Sequence, residues 1–180
     1  MLHIVYGGSA SGKSSYAESF AMSLQGEGRL LYIATMYPYK WNTTEIDPET
    51  MQRIERHRAM RADKGFDTVE CYRHVEHIVA KRQDVLLLEC MSNLLANEMY
   101  LEQDSDDGGL AETMSEVEKT GVGMSETLSP VSKKIVQALV NLSTRVQDVV
   151  IVTNEIFSDG ILYEGESEKY KEQLGQINCN

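Results

Sequence analysis

The sequence is short of positive charge. It has 17 lysines and arginines against 28 acids, a formal net charge of −11 with a pI near 4.8. That argues against general nucleic-acid or anionic-membrane binding, since both need a basic surface. Cysteine is scarce: Cys71, Cys90 and Cys179 are odd in number and lack C-x-x-C spacing. A disulfide framework and a structural zinc are thereby disfavoured, and a reduced, cytoplasmic setting is the simplest expectation. No apolar run reaches membrane-spanning length, and the chain enters an apolar strand directly instead of a signal peptide. Internal repeats are absent. The rest is ordinary for a globular chain: 42% hydrophobic and 25% charged over 180 residues, a size suited to a single domain with a substantial core.

Against that background one stretch stands out, Gly7-Gly8-Ser9-Ala10-Ser11-Gly12-Lys13-Ser14, followed by Ser15. It fits G-x-x-x-x-G-K-[ST], the phosphate-binding loop. An apolar run, Leu2-His3-Ile4-Val5-Tyr6, precedes it and reads as a strand. Residues 14–24 follow, with Tyr16, Phe20 and Leu24 at steps of four, and read as a helix. Strand, glycine loop and helix is the context the motif requires. Gly7, Gly8 and Gly12 are expected to allow positive φ and to bring N–H groups close to phosphate oxygens. The helix beginning near Lys13 adds its N-terminal dipole, Lys13 a mobile cation, and the Ser14 hydroxyl a ligand for Mg²⁺.

Residues 29–35 (Arg-Leu-Leu-Tyr-Ile-Ala-Thr) form a second buried strand, giving a βαβ unit with a right-handed crossover. Residues 36–47, with Tyr37, Pro38, Tyr39 and Trp41, follow neither period. They read either as a loop over the ligand-binding edge of the sheet or as an ordinary surface connection. Asp47-Pro48-Glu49 reads as a helix start, and the helix runs to about Ala62. On it Arg53, His57 and Arg61 lie four apart, about 40° around the axis from one another, so they share a face. Arg56, Arg58 and Lys64 concentrate further cations there. Surface pairing with Glu49, Glu55 and other acids is one explanation. The other is a phosphate-handling face: neighbouring cations disfavour an imidazolium, and a neutral His57 held beside arginines has a ring nitrogen free to attack the α-phosphorus of a nucleotide.

Residues 66–70 read as a short strand and residues 72–81 as a small helix. His74 and His77 on that helix suit a metal by spacing but lack supporting ligands, so partly exposed structural histidines are expected. Residues 84–90 (Asp-Val-Leu-Leu-Leu-Glu-Cys) are the most hydrophobic strand. It ends in Glu89, a candidate for Mg²⁺ support or ribose contact, or simply a glutamate that ends a strand. A helix over 91–101 carries Asn93 and Asn97. Residues 103–127 turn acidic and glycine-rich, as in a mobile insertion with a short helical middle. A helix from Ser129 or Pro130 to about Arg145 leads to a buried strand over 148–153. Asn154-Glu155 at its carboxyl end face the nucleotide in such sheets. Residues 157–160 form a turn and residues 167–177 a last helix.

Several of these pieces together resemble one family, the bifunctional adenosylcobinamide kinase/adenosylcobinamide-phosphate guanylyltransferases. They are the loop at 7–14, Tyr32-Ile33-Ala34-Thr35, Arg53-Ile54-x-x-His57-x-x-x-Arg61, Leu87-Leu88-Glu89-Cys90 with Asn97, Val152-Thr153-Asn154-Glu155, and Leu174-Gly175-x-x-Asn178. They run nearly the whole chain in the family's order, and the Arg-Ile-x-x-His-x-x-x-Arg and Val-Thr-Asn-Glu pieces are the specific ones. The resemblance implies a two-step enzyme. It phosphorylates the aminopropanol hydroxyl of adenosylcobinamide with a nucleoside triphosphate, ATP or GTP, and then transfers GMP from GTP to that phosphate with release of pyrophosphate. GMP travels on the histidine of the Arg-Ile-x-x-His motif, here His57, and a trimer is the implied homo-oligomer.

Two features depart from the family. Its members continue past Leu-Gly-x-x-Asn into a further helix and closing strand where this chain ends at Asn180, and residues 156–161 replace a Gly-rich Val-Pro version. The expected fold is α/β, a phosphate-loop NTPase of the RecA-like kind, with a mostly parallel sheet and helices on both faces. The rival readings are a single-step small-molecule kinase and a non-catalytic GTP-binding module.

Overall fold

Each long apolar run needs cover on both faces, and a parallel sheet between helices supplies it. A computed structural model describes residues 1–101, 128–156 and 164–179. The expected insertion at 103–127 and the turn at 157–160 lie outside the described residues. In chain order come β1 (Leu2–Gly7), α1 (Lys13–Leu24), β2 (Leu30–Ala34), α2 (Pro48–Arg61) and β3 (Phe66–Glu70). A 3-10 turn (Val75–His77), β4 (Val85–Glu89), α3 (Met91–Tyr100), α4 (Pro130–Arg145), β5 (Asp148–Asn154) and α5 (Glu166–Cys179) follow. The strands stand in the order β1-β5-β4-β2-β3, and every pairing is parallel.

Alternate side chains go to opposite faces, as the strand period of two dictates. Val85 and Leu87 join Leu30, Tyr32, Val150 and Val152 against Ala17 and Ala21 of α1. Leu86 and Leu88 join Leu31, Ile33, Val149 and Ile151 against α3, α4 and α5 through Leu94, Leu95, Leu139, Leu142 and Leu174. Helices therefore cover both faces, and the phosphate-loop α/β fold expected from the sequence is the fold observed. At the foot of the sheet Asp84 is 1% exposed. It accepts from the Arg29 backbone N–H at 3.0 Å, from the Arg29 guanidinium at 2.6 Å and from the Lys81 N–H at 2.8 Å. Burial pushes the Asp84 carboxyl up, but these hydrogen bonds and the Arg29 charge outweigh it and hold the group below the usual carboxylate range.

β1 and β2, joined through α1, are not neighbours: β5 and β4 lie between them. Two expectations need correction. The buried face of α1 is Ala17, Glu18 and Ala21. Of the expected stripe, Phe20 and Leu24 pack, partly buried, against this core, while Tyr16 is exposed and stacks on Phe20 at 6.1 Å. Residues 72–81 do not form a helix beyond the turn Val75–His77. His74 has φ 55°, and the Tyr72 carbonyl, which a helix would have used, accepts from Asn97 Nδ2 at 2.9 Å.

The candidate nucleotide site

Gly7 closes β1, and the loop after it carries positive φ at Ala10 (56°) and Gly12 (83°) but not at Gly7 or Gly8, contrary to expectation. Gly12 is the left-handed cap from which α1 starts at Lys13. At Gly7 a Cβ would lie 2.9 Å from Ser11 Oγ, so a side chain there would turn that hydroxyl aside. Lys13 curls back and donates to the Gly8 carbonyl at 3.0 Å. Asn154 stands beside Gly7 in the β1–β5 register, and the Glu155 N–H donates to the Gly7 carbonyl at 2.9 Å. The Asn-Glu pair thus anchors the loop's root.

α2 is built as the sequence indicated. Asp47 caps it, accepting from the Thr50 N–H at 3.2 Å and the Thr50 hydroxyl at 2.5 Å, and Pro48 occupies the first turn. The helix buries a single side chain, Arg61, which is 5% exposed. Its guanidinium carbon lies 3.4 Å from the centre of the Tyr32 ring, a cation–π contact. Lys64, just past the helix, pairs with the buried Glu18 of α1, and Arg58 pairs with Glu70 of β3. α2 is thereby tied against the end of the sheet from which the phosphate loop emerges.

Between them lies a cavity of about 360 Å³. Ser9, Ala10, Lys13 and Ser14 line it from the loop, Arg53, His57 and Arg61 from α2, and Glu89 from β4. Gly7, Gly8, Ser11, Gly12 and Ser15 support the loop without lining the cavity. Two groups there are buried without a hydrogen-bond partner among the described residues: Arg61 through Nε and Nη1, and Glu89 through Oε2. A buried cation and a buried carboxylate oxygen, both lining the cavity and both left open, suit a ligand that brings negative groups together with a cation. Ser14 and Glu89, which also line it, offer oxygens, a donor set that fits Mg²⁺.

Sequence reasoning missed several lining residues. Arg58 sat in the cationic helix but had no assigned role. Tyr72 gave no local signal; it enters because its hydroxyl donates to Glu70 at 2.9 Å on the wall. Burial and that hydrogen bond push the Tyr72 phenol up, and burial and the Glu89 charge do the same to Tyr32. Burial also raises the Cys90 thiol, another lining residue.

Other motif residues hold backbone. Thr35 Oγ1 donates to the Cys90 carbonyl at 3.0 Å and accepts from its N–H at 2.8 Å. Asn97 Nδ2 donates to the Thr35 carbonyl at 2.8 Å, and Thr153 Oγ1 donates to Asn178 Oδ1 at 2.8 Å. The histidine pair lies elsewhere. His74 and His77 stack at 5.7 Å, and the carboxylates of Glu76 and Glu98 beside His74 already surround the Lys134 ammonium, 2.8 Å from Glu98 Oε2.

A parallel sheet, a glycine loop after its first strand and a cationic wall opposite define a phosphate-loop, nucleotide-binding type of fold. The family model described as cobinamide kinase/cobinamide phosphate guanyltransferase matches residues 3–180, and the chain belongs to that family. The bifunctional adenosylcobalamin biosynthesis protein CobU of Escherichia coli (strain K12) is 28% identical over 182 aligned positions, covering 99% of this chain and 88% of that protein. The protein of the same name from Salmonella typhimurium is 33% identical over 104 positions, 56% of this chain and 51% of its own length. The described residues contain no helix long and apolar enough to cross a membrane.

Proposed function

We propose that this chain phosphorylates adenosylcobinamide and then guanylylates the product, carrying GMP on His57. The observation behind this reading is the sharing of one cavity by Lys13, Ser14, Arg53, His57 and Arg61, with Arg61 and Glu89 left open toward it. In the first reaction the acceptor hydroxyl attacks the γ-phosphorus of ATP or GTP. An O–P bond forms, the bridging P–O bond breaks to release the diphosphate, and the hydroxyl proton goes to solvent. In the second an unprotonated ring nitrogen of His57 attacks the α-phosphorus of GTP. A P–N bond forms, the α–β bridging P–O bond breaks, pyrophosphate leaves and the imidazolium sheds its proton. The acceptor's phosphate oxygen then attacks the same phosphorus, the P–N bond breaks, and the departing ring nitrogen takes a proton back from solvent to regenerate histidine.

Lys13 and the loop N–H groups hold the outer phosphates, while Arg53 and Arg61 neutralise charge as it builds around the α-phosphorus. Mg²⁺, held by Ser14 and Glu89, supplies charge neutralisation at the phosphates when bound. A homo-oligomer and a cytoplasmic setting belong to the same proposal. Incubation with GTP and Mg²⁺ is expected to add the mass of one GMP to the chain, stable to alkali and lost in acid, and to leave His57→Ala unmodified. Retention of the adduct by His57→Ala refutes the histidine carrier. Phosphorylated acceptor without any adduct identifies a single-step kinase, and binding without product a nucleotide-dependent module.

A further inference from the structure

The aromatic segment between β2 and α2 takes no part in the nucleotide cavity, apart from Met36 at its start, yet it is built with care. Tyr39 and Ile46 face each other across an antiparallel bridge. The Lys40 N–H donates to the Glu45 carbonyl at 2.8 Å and the Asp47 N–H to the Pro38 carbonyl at 2.9 Å, so the segment is a closed hairpin. What it holds out is apolar: Tyr39 is 38% exposed, Trp41 48% and Ile46 52%. Large rings kept at the surface by a closed backbone mark a contact surface, since each costs hydration free energy while exposed.

The surface is continuous with the cavity wall. Tyr72 lines the cavity, Tyr37 meets Tyr72 edge-on at 5.5 Å (85°), and Tyr39 meets Tyr37 at 5.3 Å (61°). Trp41, two residues beyond Tyr39 in the same hairpin, packs on Tyr100, the last residue of α3, at 6.1 Å. A row of three rings, Tyr72, Tyr37 and Tyr39, thus runs outward from the nucleotide site, and the hairpin that carries Trp41 leads directly into the α2 helix with His57.

We propose that this aromatic shelf docks the acceptor, the flat macrocycle of a cobinamide, while its reactive arm reaches into the cavity. The inference rests on the reading under Proposed function. A broad macrocycle edged with methyl groups and amides is the kind of ligand that aromatic side chains with polar tips take up, and the shelf adjoins the nucleotide cavity through Tyr72, so one molecule can touch both.

Trp41 is the sole tryptophan, so its fluorescence reports on the shelf directly. Cobinamide added to the full chain is expected to quench it saturably. Trp41→Ala is expected to acquire GMP from GTP at the wild-type rate, because it stands outside the cavity. Its KM for cobinamide phosphate should rise about tenfold with little change in kcat, and Trp41→Phe should restore most of the loss.

An unchanged KM in Trp41→Ala overturns the shelf. So does fluorescence that ignores cobinamide at concentrations saturating the transfer, or that changes with protein concentration alone, which would mark a contact between copies of the chain. If the wild-type chain acquires no GMP, the carrier reading fails while the fluorescence titration still decides the shelf.

Discussion

Arg61 is the residue on which the site's electrostatics turn. A guanidinium that is 5% exposed, pressed on an aromatic ring and missing partners at Nε and Nη1 is costly in the unliganded protein, because burial removes water without replacing every hydrogen bond. A nucleotide phosphate offsets that cost. Arg61→Met keeps the packing on Tyr32 and removes the charge. Urea unfolding of the unliganded variant is expected to show stability unchanged or higher by about 1 kcal/mol, as when a buried ion is replaced by an apolar isostere. GMP acquisition should meanwhile slow by about a hundredfold, equivalent to ~3 kcal/mol of lost charge stabilisation. A variant that unfolds easily and still takes up GMP at full rate would make Arg61 a structural residue only. The shared face of Arg53, His57 and Arg61 could be read from the sequence because helical spacing is local. The partner of Arg61 could not: Tyr32 sits on a different strand, and only tertiary packing brings its ring beneath the guanidinium.

Among the elements, α2 is unusual in carrying the candidate carrier while burying one side chain. Its attachment to the rest of the fold is polar, through the Arg58–Glu70 and Lys64–Glu18 pairs and Arg61 on Tyr32, while the Asp47 cap holds its first turn. Elements with little buried apolar surface open locally at low free energy. Amide exchange in α2 is therefore expected to be faster than in β4 or α4, and GTP is expected to slow it. Asp47→Ala should cost about 1 kcal/mol and speed exchange in α2 about fivefold without touching β4. Equal speeding in β4 would mean that α2 opens only with the whole fold. Legibility divides along the same line. Asp47-Pro48 and Ser129-Pro130 announce their helices because caps are chemistry within one turn. The expected helix at 72–81 fails because Asn97, distant in sequence, claims the Tyr72 carbonyl.

The whole molecule responds to acid through its buried carboxylates. Asp84 is held below the usual range although burial alone would raise it, and Glu98, likewise pushed up by burial, is pulled below by Lys134 and His74. A carboxylate whose folded-state value is depressed adds stability above its unfolded value, roughly pH 4, and loses it as pH falls through the folded value. The unfolding free energy is thus expected to be insensitive to Asp84 between pH 5 and 7 and to decline below about pH 4. Asp84→Asn should be less stable at neutral pH by about 3 kcal/mol and show a shallower decline in acid, measured by urea unfolding across that range. A parallel decline in both proteins would rule out Asp84 as a source of the acid sensitivity. At this scale the sequence is least explicit: four apolar runs and the alternation over 66–70 identify five strands, but nothing in them says that β5, the last, lies beside β1, the first.

That adjacency has a mechanical outcome. Among the described residues β1 has β5 as its single neighbour, and six facing positions, from Leu2 opposite Val149 to Gly7 opposite Asn154, fix how far it is slid along the sheet. A slip of one notch would shift the glycine turn by about 3.3 Å and swap the sides on which every β1 side chain points. The nucleotide's grip is therefore hung from one seam, and its height above the sheet is set by the stitching between the two ends of the chain.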